Sequence, residues 1–305
     1  MVPSRPLLGL FLLLSGIVSA QTGPATPGAG PRSAALLPSF SLAVARVDNI
    51  SRTSEVATRR DATTYEGVLA VVRSQQLNRA WSLTTGADVT SFLEPEFDRN
   101  EFTRVAGRLA VQRKAGLGPL APVLRFETAL LYHGARFRSH QGVGMETGVH
   151  VSKRLTSAVR VAASLQWREL FARTETFDTH QRALAVEGTW DVAERWSLAG
   201  AVRYAEGRFL THASPANWSR ALAGGLGPDV ARVYASIPSE VTGLYGPNWI
   251  TYRPRAHATT GSVSLLFALN DHASAELQGS ATALVNEADV RYPTQSLALR
   301  LGYRF

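Results

Sequence analysis

Two short motifs place a histidine two residues before a serine, an arrangement that can supply the base and the nucleophile of a hydrolase. They are His272-Ala273-Ser274, with Asn286 twelve residues beyond its serine, and His212-Ala213-Ser214. On one extended strand, a separation of twelve residues spans about 40 Å at ~3.3 Å per residue, so Ser274 and Asn286 cannot meet. The second motif has no asparagine at the matching position. We therefore predict no catalytic residues and no enzyme.

Metal and thiol chemistry find little support in the composition. The chain has no cysteine, which excludes thiol nucleophiles, disulfide scaffolds, zinc–cysteine sites and iron–sulfur clusters. His133, His140 and His150 belong to one predicted hairpin, but no two of them have the close spacing typical of metal ligands. The sequence predicts no metal site and no cofactor.

The basic residues are unusual in type and in distribution. The chain carries a net charge of +8, and Lys114 and Lys153 are its only lysines among 32 basic residues. A nucleic-acid-binding protein would gather its arginines on one outer face. Here the arginines are spread over many segments and alternate with apolar residues, so we predict no nucleic-acid partner.

The N-terminus has the three parts of a secretory signal peptide. Arg5 precedes the apolar run Leu7–Leu14, and Val18-Ser19-Ala20 ends the segment with small residues. We predict a signal peptide at 1–20 and, from the Pro, Gly and Ala content of the next residues, a flexible linker at 21–37. No later apolar run approaches the ~20 residues of a membrane-spanning helix, which argues against a helical membrane protein.

From residue 38 to residue 305 the dominant pattern is a period of two. Such alternation is typical of β-strands with one apolar face. We count twelve stretches, joined alternately by short turns and by longer loops. This predicts a closed antiparallel transmembrane barrel of about 12 strands, with short periplasmic turns and longer extracellular loops. The longest loop spans 212–254, and a hidden hairpin there would make 14 strands. In the stretch 64–74 either Leu69/Val71 or Val68/Val72 could form the outer face.

Aromatic residues are expected at the two edges of the apolar belt. Trp81, Trp190, Trp196, Tyr303 and Phe305 fall near the short turns. Those near the longer loops are Tyr65, Phe92, Tyr132, Trp167, Phe171 and Tyr204.

The C-terminal segment resembles that of bacterial outer-membrane β-barrel proteins, which commonly end in an aromatic residue preceded by alternating apolar residues. The matching positions are Leu297, Leu299, Leu301, Tyr303 and Phe305. In that class the last strand is the signal read by the barrel-assembly machinery and by periplasmic chaperones. The resemblance thus implies a location in the outer membrane, with lipid and lipopolysaccharide as surroundings. The subfamily and the oligomeric state stay open.

The face opposite the apolar one predicts what fills the lumen. Our lumen-lining candidates are Arg104, Arg108, Arg125, Glu127, Glu146, Arg160, Arg168, Glu187, Arg203, Glu276 and Arg300. Rings of arginine favour anions, so one interpretation is a porin-like channel for small polar or anionic solutes. The alternative is a structural, binding or export-assembly barrel whose lumen is filled by salt bridges. A hydrolase similar to outer-membrane phospholipase A, which pairs His-x-Ser with a later Asn, is a third and weaker possibility.

The long loop is the remaining candidate for a functional role, because loops beyond ~12–15 residues often carry function. Its aromatic residues could form a constriction or bind a ligand, although part of it could simply prolong the next strand. The residues singled out are Trp218, Tyr234, Tyr245 and Trp249.

Overall fold

A computed structural model describes residues 36–305, and twelve of its strands close into an antiparallel barrel. The predicted signal peptide and most of the predicted linker lie outside the described residues. The first strand begins at Leu36, two residues before the predicted start of the barrel. The barrel strands are β1 (Leu36–Asp48), β2 (Ala62–Gln76), β3 (Trp81–Leu93), β4 (Phe102–Lys114), β5 (Val123–Ala135), β6 (Gly142–Arg154), β7 (Val159–Ala172), β8 (Thr179–Ala193), β9 (Trp196–Arg208), β13 (Arg255–Ala268), β14 (Ala273–Asn286) and β15 (Arg291–Arg304).

Neighbouring barrel strands pair along almost their full length. The barrel closes between the first and last strands, where Ser39 pairs with Arg304 and Asp48 with Gln295. Closure matters because a strand in lipid has no water to hydrogen-bond, so every backbone group must find a partner in the next strand. The predicted twelve-strand barrel is confirmed.

The predicted alternation separates two faces of each strand. In β15, Leu297, Leu299 and Leu301 are exposed, whereas Ser296 and Ala298, which alternate with them, are buried. The outer surface is thus apolar and the inner one small or polar. In β2, where the sequence left two choices, Leu69 and Val71 are the exposed pair. The period alone could not decide this, because both faces of that strand carry apolar residues.

The connections differ at the two ends of the barrel, which we call the short-turn end and the long-loop end. Turns such as 155–158 and 269–272 are tight, and Thr156 and Asn270 accept hydrogen bonds there from backbone N–H groups two and three residues later. The long-loop end carries the connections 49–61, 94–101, 136–141, 173–178, 209–254 and 287–290. Four of them contain a short 3₁₀ turn.

The 209–254 insertion between β9 and β13 has a fold of its own. It contains β10 (Thr211–Ala213), α1 (Pro215–Leu222), α2 (Pro228–Ser236), β11 (Ser239–Val241) and β12 (Ile250–Tyr252). The three strands form a separate small sheet in the order β10-β12-β11. They add nothing to the barrel, so the fourteen-strand alternative is wrong, as is the idea that this segment simply prolongs β13.

Most of the expected aromatic residues lie on the outer surface near the ends of the strands. One does not: Phe92 stacks on Phe102 with 5.0 Å between ring centroids, and Phe102 lies 4.6 Å from the ring of the buried His133. Phe92 therefore faces inward near the long-loop end, and its assignment to the outer girdle is wrong. Within residues 36–305 no helix is long and apolar enough to cross a membrane.

Candidate functional site in the barrel lumen

Five neighbouring strands, β3 to β7, carry most of the inward-facing charges, and we call their inner face the charged wall. Its basic residues alternate with the exposed apolar residues of the same strands; in β4, for example, Arg104 is buried while Val105 is exposed. It holds six arginines and three carboxylates: Arg104, Arg108, Arg125, Arg154, Arg160, Arg168, Asp88, Glu127 and Glu146.

Glu146 on β6 is the centre of the largest ion-pair network. Its carboxylate lies 3.1 Å from Arg168 Nε, 3.4 Å from Arg104 Nη1 and 3.6 Å from Arg108 Nη1. Arg108 also pairs with Asp88 on β3. The network therefore ties together four strands, and Arg104 reaches Glu146 past the intervening strand β5. Such a reach requires that both side chains point into the barrel.

A second group lies closer to the short-turn end of the same wall. Glu127 Oε2 accepts a hydrogen bond from Arg125 Nε at 3.1 Å, and Glu127 Oε1 lies 3.1 Å from His150 Nε2. A third group lies elsewhere, where Arg300 contacts Glu66 at 3.5 Å and Glu276 at 3.8 Å. These pairs lie within one strand or join strands that are neighbours or one strand apart, so they run along the wall of the barrel.

Three predicted residues stand outside these networks. Within residues 36–305, Arg160 and Arg203 form no ion pair, and Glu187 contacts only Thr189, at 3.3 Å. Conversely, sequence reasoning missed Glu66, which is buried beside Arg300. The sequence did not show which face of β2 points outward, so Glu66 could not be assigned. Once Leu69 and Val71 are known to point outward, the alternation places Glu66 on the inner face.

The inner face of the remaining strands is built mainly from small residues, and we call it the small-residue wall. Threonines and serines there hydrogen-bond to each other, as in the Thr260–Thr282 contact at 2.6 Å. Each of these small side chains fills less of the lumen than a long one would, although they are buried. Representative buried members are Ala43, Ala45, Ala183, Ala205, Ala258, Thr260, Ser264, Thr282, Ser296 and Ala298.

The 209–254 insertion covers the long-loop end. It contacts the loop 49–61, where Asn217 Nδ2 donates to Thr58 Oγ1 at 2.9 Å and Tyr245 Oη to the carbonyl of Ile50 at 3.3 Å. A cation–π contact of 5.5 Å between Arg60 and Trp249 adds to this attachment.

The other long loops hold the insertion as well. Arg99 Nη1 donates to the carbonyl of Thr242 at 2.7 Å, and Glu240 accepts hydrogen bonds from Ser139 and Thr174 at 2.8 and 3.0 Å. Contacts with the last two loops come from Arg253, which pairs with Glu175 at 2.9 Å, and from packing of Ala288 and Val290 against the insertion's core. Every long loop therefore contributes to holding this cover.

The aromatic residues predicted to matter in the long loop lie mainly in its interior. Tyr234 packs with Tyr252 and Trp218, and its hydroxyl lies 2.8 Å from that of Tyr292 on β15. Tyr245 and Trp249 form a second buried cluster with Leu244 and Phe177. The structure thus assigns these four residues to attaching the cover, with no free aromatic surface at Tyr234, Tyr245 or Trp249.

Rings also connect the charged wall to the cover. His140 lies 4.5 Å from His133, which belongs to β5, and 4.8 Å from Phe177, measured between ring centroids. Tyr245 in turn packs edge-on against His212 at 4.8 Å. A continuous series of ring contacts therefore joins the lumen, at its long-loop end, to the 209–254 insertion.

Three titratable groups are buried beneath the cover. Burial lowers the pKa of His212 to about 3, and the positive charge of Arg52, together with that of His140 once it is protonated, acts in the same direction. Burial together with the charge of Arg168 lowers the pKa of His140 to about 4. Burial raises the pKa of Glu94 to about 8, with Glu96 and Glu101 adding to the rise. All three are therefore neutral or nearly so at pH 7 in the covered barrel.

Neither serine motif forms a catalytic arrangement. Ser274 and Asn286 stand at opposite ends of β14, as predicted. Ser214 is the N-cap of α1 and accepts a hydrogen bond from Asn217 N, while His212 Nδ1 bonds to Thr251 Oγ1 at 2.9 Å. Among residues 36–305 there is no cluster of three potential metal ligands.

Comparison with known proteins defines the fold. No family model and no curated protein matches the chain. An outer membrane channel from Pseudomonas putida F1 matches with 11% identity and a TM-score of 0.55, covering 92% of this chain and 99% of that one. A mutant of the TodX monoaromatic hydrocarbon channel matches with 9% identity and a TM-score of 0.46, covering 89% of this chain and 90% of that one. The KdgM porin matches with 8% identity and a TM-score of 0.41, covering 87% of this chain and 99% of that one. The first likeness establishes that the two chains share a barrel fold.

Proposed function

We propose that this outer-membrane barrel is a porin-like channel for small polar solutes with a preference for anions. The observation that supports this most is the division of the lumen into a charged wall and a small-residue wall. A lumen filled by salt bridges would place opposite charges across the barrel. Here the ion pairs of Glu146 and Glu127 join residues of the charged wall to one another.

The balance of charge supports the preference for anions. The charged wall has six arginines against three carboxylates. The other inner strands carry Arg203 and Arg300 against Glu66, Glu187, Asp191 and Glu276, so the lumen keeps a small positive excess. Arg160 has no acidic partner among the described residues. Guanidinium groups cannot lose their proton in proteins, so the positive excess persists at every physiological pH. An anion passing the small-residue wall would meet that excess on its other side.

The 209–254 insertion is the proposed constriction. It is attached to every other long loop, so a solute entering from that end must pass beside it or displace it. This arrangement also favours a second candidate function, a barrel that does not conduct because the insertion closes it permanently.

Single-channel recording of the refolded mature protein in planar bilayers distinguishes the two. A channel gives stable conductance steps and, in a salt gradient, a reversal potential that indicates anion preference. Correctly folded protein that gives no steps, while a variant lacking residues 215–236 conducts, would establish the closed barrel. If that variant is silent too, the lumen itself is blocked and the channel proposal fails.

The cleaved signal peptide at 1–20, the linker and recognition of the last strand by the assembly machinery remain part of the proposal. On β15, Leu297, Leu299, Leu301 and Tyr303 all face outward, and Phe305 lies against Tyr303 with 5.0 Å between ring centroids. This exposed apolar row is a surface that an assembly factor could bind before the barrel closes.

A further inference from the structure

The outer surface of the barrel changes character on one side near the long-loop end. On β4 to β7 it stays apolar almost to the ends of the strands, where Val105, Tyr132, Val143 and Phe171 form one row across the paired strands. On β8, β9 and β13 the corresponding surface is charged. On that side the apolar belt therefore ends further from the long-loop end of the barrel.

The strand register gives the order of rows on this side. The lower row, Leu184–Tyr204–Thr259, still belongs to the apolar belt. The next outward rows are charged, and we call them the rim patch. It consists of Arg182, Glu206, His257, Glu169, His180, Arg208 and Arg255.

Two arginines of the rim patch face each other without a counterion. Arg208 on β9 is paired in register with Arg255 on β13, and both are exposed. Within residues 36–305 neither guanidinium has a hydrogen-bond or ion-pair partner. Like charges directly opposite on a sheet destabilise it, so this pair calls for an anion between the two strands.

The neighbouring acidic groups do not neutralise the pair. Glu169 is engaged by His180, with 2.7 Å between its carboxylate and Nδ1. Glu206 stands opposite Arg182 and His257 in the row below. A cavity of about 810 Å³ lies against these strands and is lined by Arg182, Tyr204, Arg208, Arg255 and His257 among others. It is large enough for a phosphorylated sugar.

We propose that the rim patch binds the phosphorylated saccharide headgroup of an anionic lipid of the outer leaflet, of the lipid A type. Arg208 and Arg255 would hold the phosphate through charge-assisted hydrogen bonds, the geometry for which guanidinium is suited. The apolar row at Leu184 and Tyr204, which lies below the intervening row of Arg182 and Glu206, would contact the acyl chains. A lipid-linked phosphate is favoured over a free one because the cation pair lies on the same outer surface as the apolar belt, with one charged row between them.

The test measures how much bis-phosphorylated lipid A each barrel retains after reconstitution in phosphatidylcholine nanodiscs and detergent extraction, by native mass spectrometry. Wild-type protein should retain one lipid A per barrel. Arg208→Gln/Arg255→Gln should weaken retention by about tenfold for each charge-assisted hydrogen bond that the substitutions remove. The matched control Arg46→Gln/Arg291→Gln removes two exposed arginines that already have acidic neighbours, at 3.8 and 3.9 Å, and should retain lipid A normally.

Three outcomes would overturn the proposal. In the first, the double variant and the control retain equal amounts of lipid A. In the second, dephosphorylated lipid A is retained as well as the phosphorylated form. In the third, inorganic phosphate displaces lipid A at a comparable concentration, which would point to a soluble anion as the ligand. If Arg208→Gln/Arg255→Gln fails to fold, Arg208→Lys/Arg255→Lys replaces it and should retain lipid A less tightly than wild type. Conductance of the variants should equal that of wild type, so the result is independent of the channel proposal.

Discussion

At the scale of single residues, the lumen depends on a carboxylate that neutralises several arginines at once. Glu146 lies within 3.6 Å of Arg104, Arg108 and Arg168. Removing the carboxylate would leave three guanidinium groups close together with Asp88 as their main counterion. Removing one partner of a largely desolvated ion pair costs far more than the pair itself contributes.

Glu146→Gln should therefore lower the free energy of unfolding by about 2 kcal/mol, a value reduced because Arg108 and Arg168 are partly exposed. It should also strengthen the preference for anions. Urea unfolding, followed by heat-modifiable mobility, measures the loss of stability. The reversal potential in a salt gradient measures the change in anion preference. Glu276→Gln is the control, since Glu276 contacts only Arg300, which keeps Glu66. Equal effects of the two variants would contradict the central role of Glu146.

The buried histidines should make the cover sensitive to acid. His212 and His140 have pKa values of about 3 and about 4 in the covered barrel, below the ordinary value of 6.5. A lowered pKa means that the covered state binds fewer protons. The stability these residues contribute is complete above about pH 6.5 and is lost as pH falls towards 3–4. The pH dependence contributed by Glu94 has the opposite sign. Its pKa is raised in the covered barrel, so its contribution to stability is lost as pH rises towards 8.

Acidification from pH 7 to pH 4.5 should thus loosen the 209–254 insertion in wild-type protein, seen as faster proteolysis within it. In His140→Gln/His212→Gln the two histidines no longer take up protons, so the loosening by acid should weaken, and protonation of Glu94 should oppose what remains of it. His272→Gln, in an exposed short turn at the other end of the barrel, should behave as wild type. An unchanged acid response in the double variant would exclude the histidines as its cause.

At the scale of elements, the 209–254 insertion is a small folded unit attached by polar contacts at its edge and by aromatic clusters at its base. Its helices α1 and α2 are short, with eight and nine residues. Isolated helices of that length are marginal in water, so tertiary packing must stabilise them. The contacts with the surrounding loops therefore decide whether this unit stays in place.

Fixing the insertion covalently tests whether it moves during conduction. The chain has no cysteine, so Thr58→Cys/Asn217→Cys introduces a single possible disulfide at a site where the two side chains already touch, at 2.9 Å. Oxidation should reduce the mean conductance or its fluctuations, and a reductant should restore them. Thr58→Cys alone should not respond to oxidant. Identical traces in the oxidised and reduced states would show that solutes pass beside a stationary insertion.

At the scale of the whole molecule, the barrel is stable in a membrane only once β1 and β15 have paired. That closure joins residues at the two ends of the described chain, from Ser39–Arg304 to Asp48–Gln295. Until then both edge strands expose unpaired backbone groups, which invite association with other chains. The last strand is therefore the natural place for an assembly signal.

Phe305→Ala should lower the fraction of protein that reaches the folded, membrane-inserted form in cells, and it should change the stability of already folded barrel little, because Phe305 is mostly exposed. Heat-modifiable mobility of membrane fractions measures the first effect and urea unfolding of refolded protein the second. The matched control is Phe267→Ala, an aromatic truncation on β13 next to Trp196. Equal yields for both variants would argue against a specific signal at Phe305.

The amino-acid sequence alone specifies the strands, their number, the alternation of short turns and long loops, and the inward phase of residues such as Arg104 and Arg300. A period of two is a local property, and an outer surface in lipid permits only apolar residues. Tertiary packing decides the outer face of β2, the inward position of Phe92, the meeting of Glu146 with three arginines and the fold of the 209–254 insertion. Each of these depends on which strands and loops become neighbours, and that follows from register and closure across distant parts of the chain.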